Sequence, residues 1–167
     1  PQVNTLVASN TVEVRYHMMS FLDAMLGNDS SVRAANGGFC ARDQGKFLEY
    51  HNTLFANHPV TEGTGWTDTQ LAAHAATAGL DVPVWQACVS SGKYAADVKN
   101  ANDLALASGV NSTPTYAING AKVDLSAVQS AGGFSTVIAS VRGGSARSSA
   151  ATTPRRSRPT APRPSAP

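Results

Sequence analysis

Polar and apolar residues alternate strictly over Val12–His17. Val12, Val14 and Tyr16 fall on one side and Glu13, Arg15 and His17 on the other. This period of two predicts a strand over Thr11–His17 with one covered and one wetter face. Before it, Val3, Leu6 and Val7 sit at helical spacing, so residues 1–10 read as the last turns of a helix. From Asn28 the period lengthens. Asp29 or Ser30 is placed to cap a helix from Ser31 to about Arg42, and Gly37-Gly38 weakens it by roughly 1 kcal/mol per glycine relative to alanine. Gln44–Asn57 carries a broad apolar stripe of Phe47, Leu48, Tyr50, Leu54 and Phe55, and His58-Pro59 ends it.

A Gly/Thr loop leads to Thr67-Asp68-Thr69-Gln70, a capping-box pattern that opens a helix closing at Gly79. Asp81-Val82-Pro83 starts a short helix through Val89, and Tyr94–Ser108 forms another, closed at Gly109. Next comes a β-branched and aromatic run, Thr115–Ile118, ending at Asn119-Gly120, a strong hairpin signal; Lys122-Val123 follows. Pro114 cannot donate to a sheet ladder, so it belongs at the mouth of that strand, where a cis peptide is a candidate. Ser126–Val141 reads as a terminal helix interrupted at Gly132-Gly133. The order of helix, strand, several helices, hairpin and helix is mixed α/β with a helical insertion over residues 24–108.

Charged residues make up only 14% of the chain and apolar ones 42%, enough for one core over residues 1–142. The net charge of +2 is unevenly spread. Five of the 13 basic residues (Arg147, Arg155, Arg156, Arg158, Arg163) lie beyond Gly143 with no acid among them, leaving eight bases against 11 acids, a net of −3, before it. Residues 143–167, rich in Arg, Pro, Ser and Thr and lacking large apolar side chains, read as a disordered, solvated tail. Its prolines break up the charge, so no nucleic-acid partner is assigned. No apolar run reaches membrane-spanning length, so membrane association would need an anchor ahead of Pro1.

The candidate chemistry is sparse. Cys40 and Cys88, the only cysteines, both fall in helical segments, and neither is placed at a helix N-terminus where a thiol would be activated. A bridge, two buried thiols, and a reactive or metal-binding role all stay open. His17, His51, His58 and His74 have no metal-ligand spacing, and no phosphate-binding glycine loop is present, so no metal or cofactor is assigned. Trp66 and Trp85 read as packing residues.

Three stretches resemble one family. They are VEVRYHMMSFLD (Val12–Asp23), CARDQGKFLEYHNTLFANHP (Cys40–Pro59) and ASGVNSTPTYAINGAKVDL (Ala107–Leu125). Together they are similar to the DsbA-like disulfide oxidoreductases, of actinobacterial type, which have a thioredoxin fold with a helical insertion. The likeness spans about residues 1–142. It implies thiol–disulfide exchange on unfolded or extended polypeptide outside the cytoplasm, in the cell envelope or after secretion. The first thiolate of a Cys-x-x-Cys attacks, a mixed disulfide forms, and the second thiol resolves it. It also implies a cis-proline loop at Thr113 and Pro114, where the backbone of Thr113 pairs with substrate, and a structural Cys40–Cys88 disulfide. The sequence departs from the family in having no Cys-x-x-Cys. The central first strand and the start of the first helix are also missing, so two sheet edges are expected to stand open. The expectation is an N-terminally truncated fragment of an oxidoreductase, inactive by itself. The alternative is a degenerate domain that binds peptide along the Thr113-Pro114 edge without catalysis, its strands paired directly or completed by a partner.

Overall fold

A computed structural model describes residues 2–61 and 63–141. The expected tail, 143–167, lies outside them. The elements run α1 (Gln2–Ala8), α2 (Phe21–Leu26), α3 (Ser30–Asp43), α4 (Phe47–Ala56), α5 (Asp68–Thr77), α6 (Val82–Ser90), α7 (Ala95–Ala107), β1 (Tyr116–Ile118), β2 (Ala121–Val123) and α8 (Leu125–Ser130). Positions 134–141 are helical again. The chain divides into two compact units, one from Arg15 to Pro114 and the other formed by the segments on either side of it.

The unit from Arg15 to Pro114 is all helix and is organised on α3, which contacts α2, α4, α5, α6 and α7. Its core gathers Cys40, Ala41, Tyr50, Leu54, Leu71, Ala75, Leu80 and Trp85. Local chemistry sets the ends of its helices. At α5 the capping box forms as its sequence predicts: Gln70 N–H donates to Thr67 Oγ1 at 3.2 Å, and Thr67 N–H donates to Gln70 Oε1 at 2.9 Å. At α6 the Asp81 carboxylate accepts from Val84 N–H at 3.1 Å, with Pro83 in the first turn.

The start of α3 differs from expectation. Asp29 occupies the N-cap but makes no capping bond; its carboxylate instead accepts from Arg33 Nε at 2.9 Å. The N–H groups of Ser31 and Val32 donate, at 2.8 Å each, to the two carboxylate oxygens of Asp23 on α2. Asp23 is buried, so a carboxylate from the preceding helix supplies the acceptors that a helix start requires.

Gly37-Gly38 also has a tertiary reason. Trp85 Nε1 donates to Gly37 O at 2.9 Å, and this approach of ring to backbone leaves no room for a side chain. The apolar stripe of α4 divides: Tyr50 and Leu54 are buried, whereas Leu48 and Phe55 are exposed, Phe55 at 69%.

In the other unit, β1 and β2 form a two-stranded antiparallel sheet in the register Tyr116↔Val123, Ala117↔Lys122 and Ile118↔Ala121. Asn119 (φ 51°) and Gly120 (φ 82°) both take the left-handed conformation that a two-residue type I′ turn needs. Tyr116 meets Phe134 edge to face at 4.8 Å between centroids. The terminal helix breaks at Gly132 and Gly133, both with positive φ.

The strand expected over Thr11–His17 is not formed. Residues 12–19 have no regular secondary structure. The side-chain alternation suits a strand, but a strand exists only as a member of a ladder. Among the described residues the sheet contains β1 and β2 alone.

Candidate functional site

The loop that carries Thr113 and Pro114 begins where α7 stops. Ser108 N–H donates to Leu104 O at 3.0 Å and Val110 N–H to Ala105 O at 2.9 Å, with Gly109 at φ 72° between them. This is the pattern by which a glycine in the left-handed conformation closes a helix and lets the chain leave it. The Thr113–Pro114 peptide is cis, and both residues are exposed. Two residues further on the chain enters β1.

Cys40 and Cys88 are joined by a disulfide, with Cα atoms 5.9 Å apart. Cys40 lies towards the end of α3 and Cys88 towards the end of α6. Neither sits at a helix N-terminus, where a dipole would lower a thiol pKa. Cys40 is 1% exposed and Cys88 partly buried in the same core as Tyr50 and Trp85. Neither Thr113 nor Pro114 belongs to that core. The chain has no free cysteine, and a thiol tied up in this bridge cannot serve as a nucleophile.

Trp85 is a packing residue, 2% exposed and 5.7 Å from Tyr50 between ring centroids. Trp66 Nε1 donates to Asn57 O at 3.2 Å, tying the loop after α4 back to that helix. Among the described residues, no three His, Cys, Asp or Glu side chains converge as a metal site would require. A groove of about 400 Å³ between α2 and the loop after α4 is lined by Leu22, Leu26, Pro59, Val60 and Trp66, among others.

The residue pattern did not point to an aromatic row along α4. Phe47, His51 and Phe55 follow one another at every fourth position. His51 stacks on Phe55 at 4.5 Å and meets Phe47 at 5.8 Å. Tyr16, from the irregular segment before α2, meets His51 at 5.1 Å and Phe47 at 5.2 Å, both edge to face. The signal lay in the i, i+4, i+8 spacing, but a histidine between two phenylalanines reads as a break in an apolar stripe rather than as its middle.

The closing end of α3 holds a polar cluster. Asp43 accepts from Lys93 Nζ at 2.6 Å and from Tyr94 Oη at 2.6 Å. These hydrogen bonds, that from Lys93 first, hold the Asp43 carboxyl below its ordinary value. Arg42 lies over the Phe39 and Tyr94 rings at 4.9 and 5.1 Å. These contacts fasten α3 to the segment before α7 beside the disulfide.

No curated protein and no solved structure matches the chain. A family model described as thioredoxin matches residues 2–138, most of the chain. With its small sheet, its large helical portion and its Cys40–Cys88 disulfide, the chain belongs to the thioredoxin family.

Proposed function

We propose that this domain is the DsbA-like part of a protein disulfide oxidoreductase, handling extended polypeptide outside the cytoplasm. The observation that carries the reading is the thioredoxin match over residues 2–138. It embraces the helical unit as well as the segments around the hairpin, as expected of a DsbA-like member with a helical insertion. A disulfide buried in the core favours an oxidising compartment, where such bonds form and persist.

The substrate surface on this reading is the exposed loop at Thr113 and Pro114. The backbone N–H and C=O of Thr113 pair with an extended segment of substrate, and Pro114 holds the turn. Exchange itself needs a thiolate that attacks a disulfide sulfur. Residues 1–167 contain two cysteines, both committed to one buried bridge. These residues alone therefore bind extended polypeptide without exchanging disulfides. The test is insulin reduction by dithiothreitol with the 167-residue chain added: precipitation at the background rate is expected, and a rate well above it would sink the proposal.

A second reading is favoured by the bridge itself, which leaves no thiol to react: a peptide-binding module on the same fold with no catalytic role. It predicts that unfolded peptide is still bound when Cys40 and Cys88 are both replaced by serine in a chain that circular dichroism shows to be folded.

A further inference from the structure

We propose that Asn119 is a self-modification site: its side-chain amide converts, with no enzyme, to aspartate and isoaspartate, and the isoaspartate form unpicks the β1–β2 hairpin. Asparagine followed by glycine occurs twice in the chain, at Asn36-Gly37 and at Asn119-Gly120. The reaction belongs to the second pair, and the fold shields the first.

The chemistry needs only the pair itself and water. The Gly120 backbone nitrogen attacks Asn119 Cγ and a C–N bond forms. The side-chain nitrogen leaves as ammonia, taking the proton of the Gly120 N–H. Water then opens the cyclic imide. Cleavage at the side-chain carbonyl gives aspartate, and cleavage at the backbone carbonyl gives isoaspartate, so nothing is oxidised or reduced. Glycine favours the first step because it has no side chain to hinder the approach of its nitrogen.

In a helix and in a left-handed turn alike, the backbone holds this nitrogen away from Cγ, so the reaction waits on local opening. The two pairs differ in what that opening costs. β1 and β2 are three residues each and among the described residues pair only with each other; a two-stranded hairpin is marginal by itself. Asn119 and Gly120 are exposed at its tip. Apart from its chain neighbours, no described atom stands within 4 Å of where a Cβ on Gly120 would lie.

Asn36-Gly37 lies within α3, which contacts α2, α4, α5, α6 and α7. Asn36 is buried, and its Nδ2 donates to Val89 O at 3.1 Å. Gly37 O accepts from Trp85 Nε1 at 2.9 Å, and a Cβ on Gly37 would stand 2.6 Å from Tyr50 Oη. Freeing this pair means unfolding the helical unit, whereas freeing the other means fraying a turn. Local openings cost far less than global ones.

The two products differ in effect. Aspartate keeps the backbone length and tolerates the left-handed conformation, so the hairpin stays paired. Isoaspartate carries the chain through an extra side-chain carbon. A type I′ turn joins its strands with two residues of fixed length, so the added atom breaks the register Tyr116↔Val123, Ala117↔Lys122 and Ile118↔Ala121.

The test warms the full chain at neutral pH, one sample folded and one in urea. Tandem mass spectrometry locates the amide-to-acid mass change, and a protein isoaspartate methyltransferase with a labelled methyl donor counts isoaspartate. In the folded chain Asn119 is expected to convert more than about tenfold faster than Asn36, through the difference between local and global opening. In urea the two are expected to convert at similar rates. Amide exchange at 116–123 should be faster in warmed parent than in fresh parent. Asn119→Gly, which still suits the turn, should lose most of the methyl label and show no such change on warming. Three results overturn the inference: conversion in the folded chain no faster at Asn119 than at Asn36, full methyl labelling of warmed Asn119→Gly, and equal hairpin exchange in fresh and isoaspartate-bearing parent.

Discussion

The Tyr50 hydroxyl lies against the backbone of Gly37, so close that a Cβ on the glycine would stand 2.6 Å from Tyr50 Oη and 2.8 Å from Trp85 Cζ2. Helix propensity and packing therefore oppose each other at this position. Replacing Gly37 by alanine gains roughly 1 kcal/mol of helix propensity. Overpacking a filled core costs typically 1–3 kcal/mol, and both neighbouring rings are buried. Gly37→Ala is expected to lower unfolding stability by about 1 kcal/mol. At Gly38 the nearest atom is the tip of a flexible methionine, Met18 Cε at 3.1 Å, so Gly38→Ala is expected to be neutral or slightly stabilising. Urea denaturation of the two variants side by side checks the contrast.

The same hydroxyl is buried and has no hydrogen-bond partner among the described residues. Removing it spares a desolvation cost of about 1–3 kcal/mol at the expense of little packing. Tyr50→Phe is expected to match or exceed the parent in stability. It should also soften the effect of Gly37→Ala, so the double variant loses less than the two single changes added together.

Burial raises the Tyr50 phenol well above its ordinary value of 10.0. In the folded chain it keeps its proton at pH values where the unfolded chain has released it. The folded state then binds more protons than the unfolded state, and stability falls as pH rises above about 10. Below that value this residue adds no slope. Stability measured at pH 9 and pH 11 should drop less in Tyr50→Phe than in the parent; equal drops would rule out Tyr50 as the source.

The Cys40–Cys88 bridge spans a sequence separation of 48, for which chain entropy predicts a contribution of about 4 kcal/mol, within a usual range of 2–4. An external thiolate that attacks Cys88 must expel Cys40 as a thiolate into an apolar core, and Cys40 itself, 1% exposed, is shielded from attack. The folded protein is expected to keep the bridge in millimolar dithiothreitol. Alkylation followed by mass measurement should find no labelled thiol in the native protein and two after denaturation with reductant.

Asp23→Ala removes the acceptors for Ser31 and Val32 N–H at once and is expected to cost about 1–2 kcal/mol, as loss of a helix cap does. Asp29→Ala, which removes only surface ion pairing with Arg33, should cost a few tenths. Equal losses in thermal unfolding would show that Asp29 shares the capping.

Much of this protein was determined by short-range sequence. The Thr67–Gln70 box and the Asp81 cap bring donor and acceptor together within three residues. Asn119-Gly120 tolerates the positive φ a type I′ turn demands, and Gly79 and Gly109 end helices for the same reason. Such features need nothing distant, so they stand in the structure where the residues placed them. Membership of the thioredoxin family was legible too, because the phrases around Gly45-Lys46 and Thr113-Pro114 are local.

Tertiary structure decided what depends on residues far apart in the chain. Asp23 rather than Asp29 caps α3, because α2 brings a buried carboxylate to its end. Gly37 is required by rings 13 and 48 positions away, on α4 and α6. The alternation of Val12–His17 did not become a strand, since alternation specifies which side chains are covered, whereas a strand needs a neighbour's backbone. Leu48 and Phe55 stand exposed although their apolar character suits a core, because a helix buries only the face its neighbours reach. The joining of Cys40 to Cys88 is of the same kind: sequence supplied two thiols, and the packing of α3 against α6 brought their Cα atoms to 5.9 Å, within reach of a bond.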